Sequence, residues 1–408
     1  MKIAVLYPYP VENDGQSLQG DYLYRGLKEL GEDVIPCDRS GSLQKSWIFE
    51  HFKPDVAIGI GFWGDAPELI FEPQEYGVKA VPWVNADGWV ANYHDEFNKL
   101  PLLVATSNWV KSTYMRDGVK GDNVQVCPIG FDPEMFYPRE KKNSAAMKLR
   151  EMLGIKADEK MILTAGGDVT SKGAQEMLRA LAKIDKEFPK WKYVCKVMTS
   201  KSAKIHGIEE RKLIRELGLK RDKIIYLEED YTPEFMAVLL NACDVYAAPS
   251  RLEGFGMIQL EAQACGKPVI SINVGGPRDV VIHGKTGYLV DVAYEVKLER
   301  EWVYPHMGFD KKMMIDFPIP KTFAYRADVE QLAEYTLKLL KDDELREKMG
   351  EEGARHAMKN FDYRLIARRM RDMIKEYVMK EKAVEGAAQE GVLVGGDVLR
   401  NVGVGGGK

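Results

Sequence analysis

The chain has 408 residues, 45% of them hydrophobic, a formal net charge of −4 and five cysteines. That length sets an expectation of two to three domains, each burying a sizeable core, and the charge excludes a general nucleic-acid binder. Cys37, Cys127, Cys195, Cys243 and Cys265 have neither metal-ligand spacing nor a disulfide framework. With no signal peptide or membrane-length apolar run, a cytoplasmic protein is expected. Residues 1–140 hold 12 lysines and arginines against 21 aspartates and glutamates, a net of −9 that leaves +5 for the remainder. An acidic first part argues against docking on anionic lipid.

In chain order, Lys2–Tyr7 reads as a buried first strand. A turn-rich stretch, Pro8–Gly20, follows and contains Asn13-Asp14-Gly15. Asp21–Gly31 reads as an amphipathic helix with Asp21 near its start and Gly31 at its stop. Strand, glycine loop, helix opens a Rossmann-like unit, without a full GxGxxG. Val34–Cys37, Val56–Ile60, Ala80–Val84, Leu102–Thr106 and Val124–Pro128 read as further strands with helical or loop segments between them, the rhythm of a parallel α/β sheet. Ligands gather at the carboxyl ends of such strands, which draws attention to the loops holding Trp63, Asn85 to Trp89, and Ser107 to Trp109. Trp63 and Trp89 suit stacking on a sugar ring, and equally the packing of a domain interface. A linker is expected near 133–146.

A second α/β series starts at Met161–Ala165, followed by the turn Gly166-Gly167-Asp168-Val169-Thr170-Ser171-Lys172-Gly173 and a helix from Ala174. A glycine turn with a lysine suits a diphosphate: amides for shape, an ammonium for charge. Strands are expected at Tyr193–Met198, Ile224–Leu227 and Val245–Ala248. Glu253-Gly254-Phe255-Gly256 then breaks the chain, and Met257–Cys265 fits a helix stopped by Gly266 and Pro268. The start of that helix is wrapped in bare backbone amides, an anion site, with the carboxylates of Glu253 and Glu261 on either side. Thr286–Val290 closes the sheet, 328–350 and 362–379 read as amphipathic helices, and the glycine-rich end from Gly386 reads as flexible.

The run PSRLEGFGMIQLEAQACGKPVI resembles the signature of the retaining nucleotide-sugar glycosyltransferases of the GT-B fold, glycosyltransferase family 4 or group 1. Glu253 and Glu261 have the Glu-x7-Glu spacing, Gly266-Lys267-Pro268-Val269 follows, and Gly275-Gly276 lies on the next turn. The resemblance implies an α/β protein of GT-B type: two Rossmann-like doubly wound domains with a cleft between them. Residues 1–145 would form the acceptor domain, joined by a C-terminal helix at 362–380; residues 146–361 would form the donor domain, with an insertion at 293–327; 381–408 would be a flexible tail. The implied activity is metal-independent, retaining transfer of a hexosyl group from a nucleoside diphosphate sugar to a sugar, lipid-linked or small-molecule acceptor. No cofactor is implied, since the nucleotide sugar is a co-substrate. A homo-oligomer stays open. Glu253 would act on the donor sugar, Glu261 on the ribose and Lys172 on the diphosphate. Gly15 (or Gly20), Gly166, Gly167, Gly254, Phe255, Gly256 and Met257 would surround the donor; Thr199, Glu228 and Tyr231 are loose candidates for base and ribose.

Three departures from the family pattern set further expectations. Gly167 stands where a second phosphate-gripping cation is usual, with Lys201, Lys204 and Arg278 as replacements in plausible segments. Ala86 stands where a histidine often precedes the aspartate; Asp87, the implied catalytic partner, is in place, and His94, an acceptor-side candidate, could approach from seven residues on. Gly167 and Ala86 nonetheless support a rival reading, a GT-B-shaped nucleotide-sugar binder without transfer. An epimerase or phosphorylase is the other rival. The 35-residue insertion holds seven aromatics, 20% of it against 10% for the chain, too apolar for a solvated linker. Packing on its own domain, an oligomer contact, or a reach across the cleft with His306 as a polar tip beside the acceptor are its alternatives, the last favoured over the oligomer because the insertion leaves the sheet at a strand's carboxyl end.

Overall fold

The computed structural model describes residues 1–380 except Asn13, Asp87 and residues 140–143. The expected catalytic Asp87 and the tail 381–408 therefore lie outside the described residues, as does part of the linker region. Twelve short strands form two six-stranded sheets. The first holds β1 (Lys2–Tyr7), β2 (Asp33–Asp38), β3 (Val56–Gly61), β4 (Lys79–Val84), β5 (Leu103–Ala105) and β6 (Val124–Val126). The second holds β7 (Lys160–Ala165), β8 (Trp191–Lys196), β9 (Ile224–Leu227), β10 (Val245–Ala248), β11 (Val269–Ile272) and β12 (Gly287–Val290). Every pairing within them is parallel. Strands such as β3 and β10 are apolar and buried along their whole length because helices cover both faces.

The strand orders are β2-β1-β3-β4-β5-β6 and β12-β11-β10-β7-β8-β9. Each order reverses beside its first strand, between β1 and β3 and between β7 and β10. Loops leave in opposite directions at such a reversal and open a crevice at the strands' carboxyl ends. The loops after β1, β7 and β10 are thereby placed to build a site.

The first helix runs from Gly15 to Glu29 rather than from Asp21. Asp14 caps it, its carboxylate accepting from the Gln16 and Ser17 amides at 2.9 and 3.1 Å. Gly20, a donor-loop alternative in the sequence, lies inside this helix: a Cβ there would sit 2.2 Å from the Tyr7 ring. It is a packing glycine, not a loop glycine.

At the other end of the chain, Phe131 and Asp362 form a bridge that leads into the helix Tyr363–Met373. This helix packs along Gly15–Glu29, with the Tyr22 and Tyr363 rings stacked 6.0 Å apart and no room for a Cβ at Gly26, 2.5 Å from Ala367.

The aromatic insertion is a β-hairpin, β13 (Val292–Val303) with β14 (Met313–Ala327), antiparallel and bulged. It crosses from the second sheet to the first domain. Asn92 donates from Nδ2 to the Met307 and Gly308 carbonyls at 3.0 and 3.2 Å, Lys321 pairs with the buried Asp117 at 2.5 Å, and Trp89 meets Phe317 at 5.1 Å.

Candidate active site

A cavity of about 360 Å³ opens where the two strand-order reversals face each other. Asp14, Gly15, Phe62 and Asn85 line it from the first domain; Gly166, Gly167, Lys172, Lys196, Glu253 and Glu261 are among its lining from the second. Two helix starts converge on it. A Cβ on Gly15, the first residue of its helix, would lie 3.4 Å from Met257 Sδ, the first residue of the helix Met257–Ala264. That second helix is entered through Gly256 at φ +105°, with no side chain capping it. Among the described residues nothing accepts from the Met257, Ile258 or Gln259 amides, so the partial positive charge of the helix end faces the cavity unquenched.

The loop between β10 and this helix is held from three sides. Gly173, at φ +87°, lies so close to Pro249 that a Cβ would meet its carbonyl at 2.4 Å. The Gly276 amide donates to the Glu253 carbonyl at 2.9 Å, and a Cβ on Gly276 would strike the Gly254 carbonyl at 2.2 Å. The Tyr325 amide of the hairpin donates to the Arg251 carbonyl at 2.6 Å. Arg251 and Arg326 share the buried Glu176, at 3.2 and 2.7 Å. The outcome is a fixed carboxylate: Glu253 Oε2 accepts from Lys172 Nζ at 2.6 Å. Across the cleft, Ser107 Oγ donates to the Gly254 carbonyl at 2.6 Å, and Asn85 Oδ1 would meet a Cβ on Gly254 at 2.4 Å. The two domains touch beside the Glu253 loop.

Residues 147–299 match the family model of the glycosyl transferases group 1. That stretch of the chain carries a group 1 domain. It is similar to D-inositol 3-phosphate glycosyltransferases of Corynebacterium diphtheriae, 30% identical over 69% of this chain and 57% of the relative, and of Xylanimonas cellulosilytica, 33% identical over 47% and 44%. The chain thus spans about half the length of the curated relatives it matches. Among solved structures it is similar in fold to Anabaena Alr3699/HepE in complex with UDP and glucose, with TM-score 0.70, 17% identity and coverage of 92% of this chain and 100% of that one. Sucrose-phosphate synthase from Thermosynechococcus elongatus gives 0.71, 18%, 93% and 100%. Both are likenesses of fold, and the fold is GT-B.

Within this group 1 domain, Glu261 lies on the inner face of the Met257–Ala264 helix, 5% exposed. Burial alone pushes its carboxyl up to about 8. Among the described residues no side chain or amide hydrogen-bonds it, so its polar atoms are left for a ligand. This has a consequence for stability. From about 4.5 to about 8 the folded chain keeps a proton that the unfolded chain has lost, so stability falls as pH rises through that window and levels off above it. Glu261→Gln cannot ionise and should abolish this slope, gaining on the wild type by on the order of a few kcal/mol towards pH 8. Melting curves of both proteins from about pH 5 to 9 test it; parallel pH profiles would mean the carboxyl is solvated or paired.

Several expected residues stand elsewhere. Trp63 is buried against Trp89, ring centroids 5.2 Å apart, and Trp89 turns to Phe317 of the hairpin; both are packing residues of the interface, not a sugar platform. His94 begins a short helix with its Nε2 buried beside Gly118, and His306 stacks on Tyr304 at the hairpin tip; neither lines the cavity. Lys201, Lys204 and Arg278 are exposed and off the cavity, as are Thr199 and, in a separate hollow, Glu228. Gly254 serves the interdomain contact. Tyr231, Phe255, Gly256 and Met257 do line the cavity. Lys196 was not singled out by sequence; it ends a strand that is buried along its whole length, Lys196 included.

Proposed function

We propose that the protein is a retaining, metal-independent glycosyltransferase that moves a hexosyl group from a nucleoside diphosphate sugar to an acceptor entering from the first domain. The observation that carries this reading is the convergence of two helix starts and Lys172 on one cavity that Glu253 also lines. A diphosphate fits the amides of Met257 and Ile258 and the Lys172 ammonium, and these same groups oppose the charge that grows on the leaving phosphate as the C1–O bond breaks. Glu253, tied to Lys172, marks the junction of phosphate and sugar, where it favours positive charge at the anomeric carbon. Glu261, buried further along the helix, suits ribose hydroxyls. Of the described carboxylates lining the cavity, Asp14 caps its helix, Glu261 lies inside the second helix, and Glu253 is already paired. We therefore favour front-face substitution: the acceptor oxygen bonds to C1 on the face the phosphate leaves, and its proton passes to the departing phosphate oxygen.

Structural relatives bound to UDP and UDP-glucose make uridine nucleotides the first donors to test, and the names of the sequence relatives make D-inositol 3-phosphate the first acceptor. Incubation with a panel of nucleotide sugars should release nucleotide only in the presence of acceptor, and the product should keep the anomeric configuration of the donor by NMR. EDTA should leave the rate within about twofold, because helix ends and lysine carry the diphosphate charge. Strict rescue by Mn²⁺ or Mg²⁺ would contradict that part. Binding of a nucleotide sugar with no turnover on any acceptor would favour a binding protein.

A further inference from the structure

Lys196 is the last residue of β8, where its partner across the ladder is Ala165 of β7. Strand alternation sends Lys196 to the same face as Val194, while Tyr193 and Cys195 join the core on the other side. That face looks into the cleft. The Gly166 amide donates to the Lys196 carbonyl at 3.1 Å, and the Met198 amide to the Gly167 carbonyl at 2.8 Å, so the strand end is locked to the glycine turn after β7. Gly166, at φ +109°, has no side chain; a Cβ there would lie 3.2 Å from Ile258 Cδ1 and 3.4 Å from Lys172 Cε. The turn thus brings Lys172, the uncapped helix start and the end of β8 to one corner of the cavity.

The two lysines differ in how their charge is spent. Lys172 is paired with Glu253 at 2.6 Å. Lys196, 8% exposed, has no hydrogen-bond or ion-pair partner for its ammonium among the described residues. Its Nζ lies 5.9 Å from the Tyr231 ring centroid, and burial pulls it below the usual lysine range while Asp230 holds it up. A side chain that keeps a buried cation without a carboxylate is costly unless a ligand supplies the anion. Inside a cavity that already presents bare amides, a phosphate group meets that need.

We propose that Lys196 is a second diphosphate-binding cation, gripping the nucleotide diphosphate together with the Met257–Ala264 helix start and Lys172. The proposal rests on the nucleotide-sugar reading of the cavity. Lys196 reaches the diphosphate from the β8 side, and Tyr231 beside it takes the nucleoside.

The test is the affinity of the wild type, K196M and K196R for UDP, GDP and ADP, for the matching nucleosides, and for inorganic pyrophosphate. K196M should lose roughly tenfold to a hundredfold in affinity for the tightest diphosphate and for pyrophosphate, K196R should recover most of it, and nucleoside affinity should stay within about twofold. Unchanged diphosphate affinity in K196M, or an equal loss for nucleoside and diphosphate, overturns the role of Lys196 alone. Failure of the wild type to bind any of the three diphosphates overturns the reading of the cavity itself. Should K196M not fold, the wild type still decides: pyrophosphate should shield Lys196 from acetylation as read by mass spectrometry, and equal labelling with and without it overturns the proposal.

Discussion

Glu253→Gln should lower the transfer rate by roughly a hundredfold or more while leaving nucleotide affinity unchanged or slightly improved. The split follows from the pairing at 2.6 Å between Glu253 and Lys172. Before donor binds, the carboxylate offsets the ammonium. Glutamine keeps the shape and an oxygen acceptor but removes the negative charge, so Lys172 meets the diphosphate with its full charge. The cost appears when positive charge builds at the anomeric carbon, an effect confined to the transition state, so kcat falls and the binding constant does not rise. Single-turnover rates and UDP titrations on both proteins measure it. A variant that turns over near the wild-type rate would remove Glu253 from the chemistry. Equal losses in rate and affinity would make it a binding residue only.

Replacing residues 295–325 by a short Gly-Ser turn should reduce transfer by about tenfold to a hundredfold while nucleotide affinity and the fold of the second domain survive. Glu295 and Tyr325 face each other in the hairpin, so the cut closes without straining the ends, and Arg326 keeps its pair with Glu176. What is lost is the strap to the first domain: the Lys321–Asp117 pair, the Asn92 bonds to Met307 and Gly308, and the Trp89–Phe317 contact. The backbone grip of Tyr325 on Arg251 goes as well. With that strap gone, the domains spend more time apart and the acceptor side is less often aligned with the donor. The hairpin also leaves Tyr294, Ile319 and Phe323 at 61%, 74% and 57% exposed, which gives an oligomer reading a concrete form. Transfer assays, scattering radii and sedimentation of the shortened protein settle the choice. Full transfer activity with an altered oligomeric state would assign the hairpin to subunit contact instead.

Much of the site was legible in the sequence because it is local. Glu253 and Glu261 ride on one turn and one helix, so their spacing alone sets them on either side of its start. The lysine at 172 follows a glycine turn, and only glycine takes the positive φ that this turn needs at 166, 167 and 173 without strain. Inner strands such as β3 and β10 announce themselves as short apolar runs, since burial on two faces leaves little place for polar residues. Gly15 and Gly20 were ambiguous for the opposite reason: Gly15 does line the cavity and Gly20 does not. Glycine marks both loops and close packing, and only the Tyr7 ring against Gly20 distinguishes them.

What tertiary structure alone decided is long-range. Lys196 is unremarkable in WKYVCK until the β7–β8 register aims it at the cleft. Trp63 and Trp89 carry the same aromatic character whether they face a sugar or a hairpin, and the partner that settles it, Phe317, lies more than two hundred residues further along the chain. His94, a candidate for its spacing from Asp87, and His306, the polar tip of the insertion, are both carried away from the cavity by their elements. The insertion could be read from sequence as aromatic and in need of burial. Which surface buries it is decided by the first domain, which supplies Asn92 and Asp117, because a hairpin's own pairing leaves its faces free.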